Sequence, residues 1–116
     1  TWSPLEVLCH LGDVEAEIYQ PRIWKIISEE NPFFSDIDAS AWSEERGYQK
    51  RELEQGFEDF IGKRMETLRM IETLGEEDWQ RRAVHERKGS LDLTGLICSI
   101  AEHDIQHIRQ IYEQLH

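Results

Sequence analysis

Apolar residues recur at the spacing of an α-helix along most of this chain, and that period constrains the fold more than any other feature. Val7, Val14 and Ile18 fall on one helical face and predict a helix over residues 4–19. Ser3 and Glu6 have the spacing of a capping box at its start. Strand-like alternation does not persist beyond a few residues anywhere, so the sequence predicts an all-α protein.

Further helices follow from the same pattern. Pro21 can open a kinked or separate helix over about 22–29, and residues 31–47 are the least regular stretch. We expect four aromatic or aliphatic side chains to pin that stretch onto the core: Phe33, Phe34, Ile37 and Trp42. The second long helix is predicted over 48–74, with an apolar stripe made of Leu53, Phe57, Phe60, Ile61, Leu68 and Ile71.

The C-terminal part is predicted to hold one more long helix. Gly75 is a natural helix C-cap, residues 76–79 can form a short turn, and residues 80–89 form a polar connection. Ser90 is the expected N-cap of a helix over 91–115. The whole chain, 1–116, is therefore expected to be a single domain, an antiparallel up-down helical bundle. Three long helices and a short piece leave this bundle one wall short, and we expect residues 22–29, a partner chain or an upstream helix to supply the fourth wall.

Charge and composition exclude several classes of function. The chain has 13 Lys and Arg against 24 Asp and Glu, a net charge of −11, so it lacks the basic surface that nucleic acids or anionic membranes require. No apolar run approaches the roughly 20 residues of a membrane-spanning helix. Two cysteines, Cys9 and Cys98, do not make a disulfide scaffold, and we expect a cytoplasmic protein.

Three histidines fall on apolar helix faces. His10 lies on the face of Val7 and Val14, while His103 and His107 are four residues apart, about 40° around the helix axis and about 6 Å along it. Two rings at that spacing can converge on one point, as a pair of metal ligands must. Packed core histidines, hydrogen-bonded within the protein, are the alternative.

Two segments resemble the DinB-like family of four-helix-bundle metalloproteins, which includes the bacillithiol and mycothiol transferases. They are the stretch from Trp2 to Leu11, with its Trp-Ser-Pro-Leu-Glu start, and the stretch from Ala101 to Ile111, with its His-Asp-x-x-His core. The segment from Asp78 to Leu91 is also similar. The family usually has a helix upstream of the Trp-Ser segment, and the bundle here apparently lacks that first helix.

The resemblance implies that His10, His103 and His107 bind a divalent metal ion, which can be zinc, nickel or iron. It favours a metal-dependent thiol S-transferase acting on small molecules, with a low-molecular-weight thiol as the candidate substrate. A metal-dependent hydrolase is the alternative, since a metal ion can equally activate water. A non-catalytic helical dimerisation or interaction module with packed histidines is the third reading.

Other polar residues near these positions are assigned more modest roles. Glu6 and Asp104 are candidates to accept a hydrogen bond from the outer nitrogen of a metal-binding imidazole, although for Glu6 a capping role is favoured. His85 is expected on the surface, and contact with substrate at the mouth of the site is the alternative. Arg64 can bind an anion or an inward-facing acid, but an arginine at the edge of the apolar stripe is the favoured interpretation.

The two cysteines and the oligomeric state complete the predictions. Cys9 is turned about 100° from His10 around the helix, so we expect no ligand role, and Cys98 is expected to be a packed thiol. A small acidic bundle that lacks a wall must cover its apolar faces, so we expect a homodimer.

Overall fold

The computed structural model describes residues 2–116 and is predominantly helical. Its main helices are α1 (Pro4–Val14), α2 (Gln20–Ser28), the short α3 (Trp42–Glu45), α4 (Leu53–Glu72) and α5 (Leu93–Leu115). No helix within residues 2–116 combines the length and the apolar character needed to cross a membrane.

The first two helices form one continuous helical run. The capping box predicted at Ser3 and Glu6 is present, with the Glu6 amide donating to Ser3 Oγ at 3.2 Å and the Ser3 amide donating to Glu6 Oε1 at 3.1 Å. A π-helical turn (Glu15–Tyr19) joins α1 to α2, and Pro21 sits in the first turn of α2, where its missing N–H costs nothing. π-turns inside α-helices are frequent at functional sites.

A small sheet is the feature that the periodicity missed. Strands β1 (Phe33–Phe34), β2 (Arg82–His85) and β3 (Gly89–Asp92) form it in the order β1-β2-β3, with β1 parallel and β3 antiparallel to β2. Strands of two to four residues are too short to display alternation. The turn between β2 and β3 ends at Gly89 with φ of 74°, a conformation that favours glycine.

Three predicted helix ends are wrong. Asp92, not Ser90, is the N-cap of α5, because Ser90 lies inside β3 and the Asp92 carboxylate accepts from the Gly95 amide at 2.8 Å. The second long helix begins at Leu53, after a separate 3₁₀ turn (Tyr48–Lys50). Gly75 is in an extended conformation at the start of a second 3₁₀ turn (Glu76–Gln80), so it does not cap α4.

The core lies between the helical run, the sheet and α5. Its largest cluster of buried residues consists of Ile23, Ile26, Phe34, Ala83, Leu93, Leu96 and Ile100. A second cluster joins Val14 and Ile18 to Ala39. Of the side chains expected to pin the connection, Phe34 is buried and Trp42 packs partly on this second cluster, but Phe33 and Ile37 are exposed.

The predicted apolar stripe of α4 does not form the core. Leu53, Phe57, Ile61 and Leu68 are 42–55% exposed. The helix meets α1 instead through small residues, because the Phe60 backbone passes over Gly12, and Gly56 faces Cys9 and Leu5. The stripe therefore faces outward, together with Ile105, Ile108, Tyr112 and Leu115 of α5.

Candidate metal centre

Three imidazoles from two helices meet in the interior. His10 Nε2 lies 3.3 Å from His103 Nε2, and His107 Nε2 lies 3.0 Å from that same atom. One donor atom from each ring falls within 4.8 Å of the others, an arrangement that could hold a metal ion. The structure thus brings together the three histidines that the sequence singled out, including the pair four residues apart on α5.

The hydrogen-bond arithmetic of this cluster leaves ring nitrogens unsatisfied. A ring nitrogen of a neutral imidazole either carries a hydrogen and donates or presents a lone pair and accepts, so His103 Nε2 cannot donate to one neighbour and accept from the other. On His107, Nδ1 lies 2.9 Å from Gln110 Oε1, an acceptor, so the hydrogen is on Nδ1 and Nε2 presents a lone pair. A hydrogen on His103 Nε2 could donate to one neighbouring lone pair but could not serve both contacts well, whereas a cation among the three Nε2 atoms would accept a lone pair from each ring.

Burial keeps two of these rings neutral. Desolvation, followed by the charges of the neighbouring histidines, lowers the pKa of His10 and of His103 to about 4. A neutral imidazole is the form that binds a metal ion. At physiological pH these two side chains therefore need no deprotonation to act as ligands.

Aromatic rings frame the cluster. The Trp2 ring lies 4.8 Å from that of His10 and stacks on that of His107 at 6.2 Å. The Tyr19 ring meets His103 edge-on at 5.8 Å, and burial raises the pKa of Tyr19 to about 12. The capping box fixes the start of α1, and the π-helical turn brings Tyr19 to the other side, so two local features of the first helical run position this frame.

Neither acidic candidate accepts a hydrogen bond from a clustered imidazole, and for Glu6 the favoured capping role is confirmed. Glu6 is buried, but it caps α1 and accepts from the Ser43 hydroxyl, which lowers its pKa. Asp104 accepts two hydrogen bonds from Arg64, at 2.7 and 2.9 Å. His10 Nδ1 is buried without a hydrogen-bond partner among residues 2–116.

Arg64 pairs with acids in the interior and is not the edge arginine that the sequence favoured. Its guanidinium also donates to both carboxylate oxygens of Glu15, at 2.8 and 3.1 Å, so it links α4 to the π-helical turn and to α5. Glu15 is 1% exposed. Sequence reasoning overlooked Glu15, although its place between Val14 and Ile18, next to the predicted core face, was a signal.

His85 is not the surface residue that was expected. It lies on β2, is buried, and its Nδ1 accepts from the amides of Arg87 and Lys88 at 3.1 and 3.2 Å. Burial lowers its pKa. His85 and the three clustered histidines line one cavity of about 410 Å³, bounded by α1, α2, the sheet and α5.

The cysteines stand apart from this cavity. Cys9 is buried against Gly56 of α4, as its turn away from His10 predicted. Cys98 is exposed, so the prediction of a packed thiol is wrong. The preceding residue, Ile97, packs partly against the main core cluster instead.

Comparison with known proteins places this arrangement in a family. The chain is similar in fold to YfiT from Bacillus subtilis, described as a probable metal-dependent hydrolase with an unusual four-helix bundle topology. The TM-score is 0.79 at 22% identity, and the match covers 98% of this chain and 67% of that one. Comparison with curated proteins gives no match. The family model described as the DinB superfamily matches residues 1–111, and the chain therefore belongs to the DinB superfamily.

Proposed function

We propose that His10, His103 and His107 bind a divalent metal ion and that the protein uses it to transfer a low-molecular-weight thiol to an electrophilic small molecule. The observation that carries the proposal is the meeting of three Nε2 atoms, with those of His10 and His107 at 3.3 and 3.0 Å from that of His103, beside a His10 Nδ1 that is buried without a hydrogen-bond partner among residues 2–116. Packed histidines, by contrast, would each be hydrogen-bonded to the surrounding protein.

The donor set fits a catalytic ion better than a structural one. Structural zinc sites have four protein ligands, whereas catalytic sites have three and keep a position open for water or substrate. Imidazole ligands suit zinc, nickel and iron alike, so the ligand set does not select among these metals. A cavity of about 410 Å³ beside the histidines is within the usual size range for small-molecule sites.

The acids nearest the histidines favour a thiol as nucleophile. Asp13 accepts from Tyr48 and Arg46, while Glu15 and Asp104 are both held by Arg64. None of these three carboxylates is free to act as a general base, and of the two acids that line the cavity, Asp36 accepts from Arg87 and Asp38 from the Ser40 amide. A bound divalent ion would lower the pKa of the nucleophile instead. A thiol, with a pKa near 8.5, needs a much smaller decrease than water, with a pKa of 15.7, to be deprotonated at neutral pH.

Hydrolysis is the second candidate, because the similar structure from Bacillus subtilis is described as a probable metal-dependent hydrolase. The two reactions differ in products. In transfer to chlorodinitrobenzene, the thiol sulfur forms a C–S bond, chloride leaves with the C–Cl electron pair, and the thiol proton passes to buffer. In hydrolysis of nitrophenyl acetate, water supplies the acyl acceptor. Metal-dependent turnover of the ester alone would replace the transferase proposal.

The ligand assignment is tested by metal content. Protein purified without a polyhistidine tag or nickel column should contain one divalent ion per chain, and H107A should contain none, because two imidazoles bind much more weakly than three. H116A is the matched control, since His116 stacks on Tyr112 at the end of α5, away from the cluster. Full metal content in folded H107A, or a metal-free wild-type protein after dialysis against zinc, would overturn the assignment.

The same proposal places the protein in the cytoplasm, where low-molecular-weight thiols are kept reduced. Both cysteines are free thiols, as that environment favours.

A further inference from the structure

The wall of the histidine cavity formed by α2 carries an arginine without an acidic partner. Arg22 lines this cavity together with His10, His103 and His107. We propose that Arg22 binds a carboxylate of the substrate, so that the thiols this protein uses are carboxylic acids. The inference rests on the proposed thiol function and names the substrate class for it.

The contacts of Arg22 leave most of its hydrogen-bonding capacity unused. Its Nη2 donates to the Ser35 carbonyl at 2.6 Å, and its guanidinium lies 5.5 Å from the centre of the Phe34 ring. Within residues 2–116, no carboxylate oxygen lies within 4.0 Å of this side chain. A guanidinium has five N–H donors, so several remain for a ligand.

Two of the other partly buried arginines of this chain pair with acids. Arg64 holds Glu15 and Asp104, and Arg46 holds Asp13 and Glu17. Arg81 donates to backbone carbonyls outside the histidine cavity, so Arg22 is the partly buried arginine within residues 2–116 that both lines this cavity and lacks an acidic partner. Burial disfavours its charge and lowers its pKa, a cost that an anionic ligand would offset.

Two acids that also line the cavity, Asp36 and Asp38, could compete with a ligand carboxylate for Arg22. Asp36 accepts from Arg87 at 3.2 Å and lies 3.8 Å from His85 Nε2, and Asp38 accepts from the Ser40 amide at 2.9 Å. Lys88 adds a second cation to the same lining. The wall near Arg22 can therefore attract an anion although the whole molecule is acidic.

The kind of substrate that fits the cavity depends on where Arg22 lies relative to the histidines. Tyr19 contacts His103 edge-on, and Arg22 follows three residues later in the same helical run, about 5 Å further along the axis. A substrate with its thiol at the histidines and its carboxylate at Arg22 therefore carries the two groups at separate positions of the cavity. Arginine suits the carboxylate end because its planar fork can donate two parallel hydrogen bonds.

Thiol binding to cobalt-loaded protein tests the inference. The thiolate-to-cobalt charge-transfer absorption is titrated with two matched pairs: mercaptopropionate with mercaptopropanol, and mercaptohexanoate with mercaptohexanol. We expect wild-type protein to bind an acid about tenfold more tightly than its matched alcohol, as one charged hydrogen-bonded contact provides. R22Q should lose this preference and bind the alcohols as before.

The control is K25Q, which removes one positive charge from the same helix at an exposed position outside the cavity lining. It should keep the preference, which excludes a mere change of net charge. An R22Q protein that still prefers the acids, or wild-type protein that binds both members of each pair equally, would overturn the role of Arg22. Absence of any thiol signal would instead contradict the proposed function itself.

Discussion

His103 Nε2 lies next to the Nε2 atoms of two other imidazoles, and these contacts are the centre of the candidate metal site. Its ring and that of His10 are neutral because burial outweighs the nearby acids, whose charges raise the pKa and whose carboxylates are engaged elsewhere. Both imidazoles are thus suited to bind a metal ion, because they are buried, close together and neutral.

These lowered pKa values give the metal-free protein a pH-dependent stability. His10 and His103 have folded pKa values of about 4 against an ordinary value of 6.5, so the unfolded chain takes up protons that the folded one does not. The free energy of unfolding should therefore be highest above pH 6.5, fall as the pH drops towards 4, and level off below that.

Urea unfolding of chelator-treated protein across this range measures the effect. The slope should shrink in H10Q/H103Q and remain in H116A, with a residual contribution from His85, whose pKa burial also lowers. Equal slopes in the double variant and the wild-type protein would show that the two rings do not titrate as described.

The pairing of Arg64 gives a second prediction at this scale. R64M would leave Glu15, which is 1% exposed, as an uncompensated buried charge, and breaking such a pair costs about 3 kcal/mol. R87M is the matched control, because Arg87 pairs with Asp36 at the surface, where the loss should be about 0.5 kcal/mol. Equal destabilisation of the two variants in urea unfolding would show that Arg64 does not compensate a buried charge on Glu15.

At the scale of elements, short strands decide where the last helix begins. Ser90 has the residue type of an N-cap, but the pairing of β3 with β2 extends the backbone up to Asp92. The pairing places His85 in the cavity wall, because β2 is the middle strand of the sheet. Local sequence therefore indicated a cap two residues too early and a surface position for a buried histidine.

The cap itself can be tested by a pair of substitutions. D92A removes the acceptor of the Gly95 amide and should lower the free energy of unfolding by about 1 kcal/mol. S90A should change it by less than about 0.5 kcal/mol, since Ser90 is exposed and donates no cap. Thermal or urea unfolding of both variants gives the comparison, and a larger effect from S90A would restore the sequence-based assignment.

At the scale of the whole molecule, the outward face of α4 and α5 is the notable property. Leu53, Phe57 and Ile61 of α4 and Ile108 and Leu115 of α5 are each more than 40% exposed. The similar structure is longer, with 67% of its chain matched here. An apolar face of this extent is typical of a surface that another helix covers.

We expect a second copy of the chain to cover this face. Sedimentation at micromolar concentration should show a species of twice 13.8 kDa, and F57E/I61E should shift it to the monomer without loss of metal. E54Q, at an exposed position of the same helix, is the control and should leave the dimer intact. A wild-type protein found only as a 13.8 kDa species would contradict the expected homodimer.

The sequence by itself determined the helical class, the capping box of α1 and the three inward histidines, because helical period and cap chemistry are local properties. It did not determine the sheet, the start of α5, the outward turn of the α4 stripe, or the pairing of Arg64 with Glu15. Those depend on contacts between residues distant in the chain, such as Phe60 over Gly12, and only the tertiary structure decides which of two apolar faces is covered.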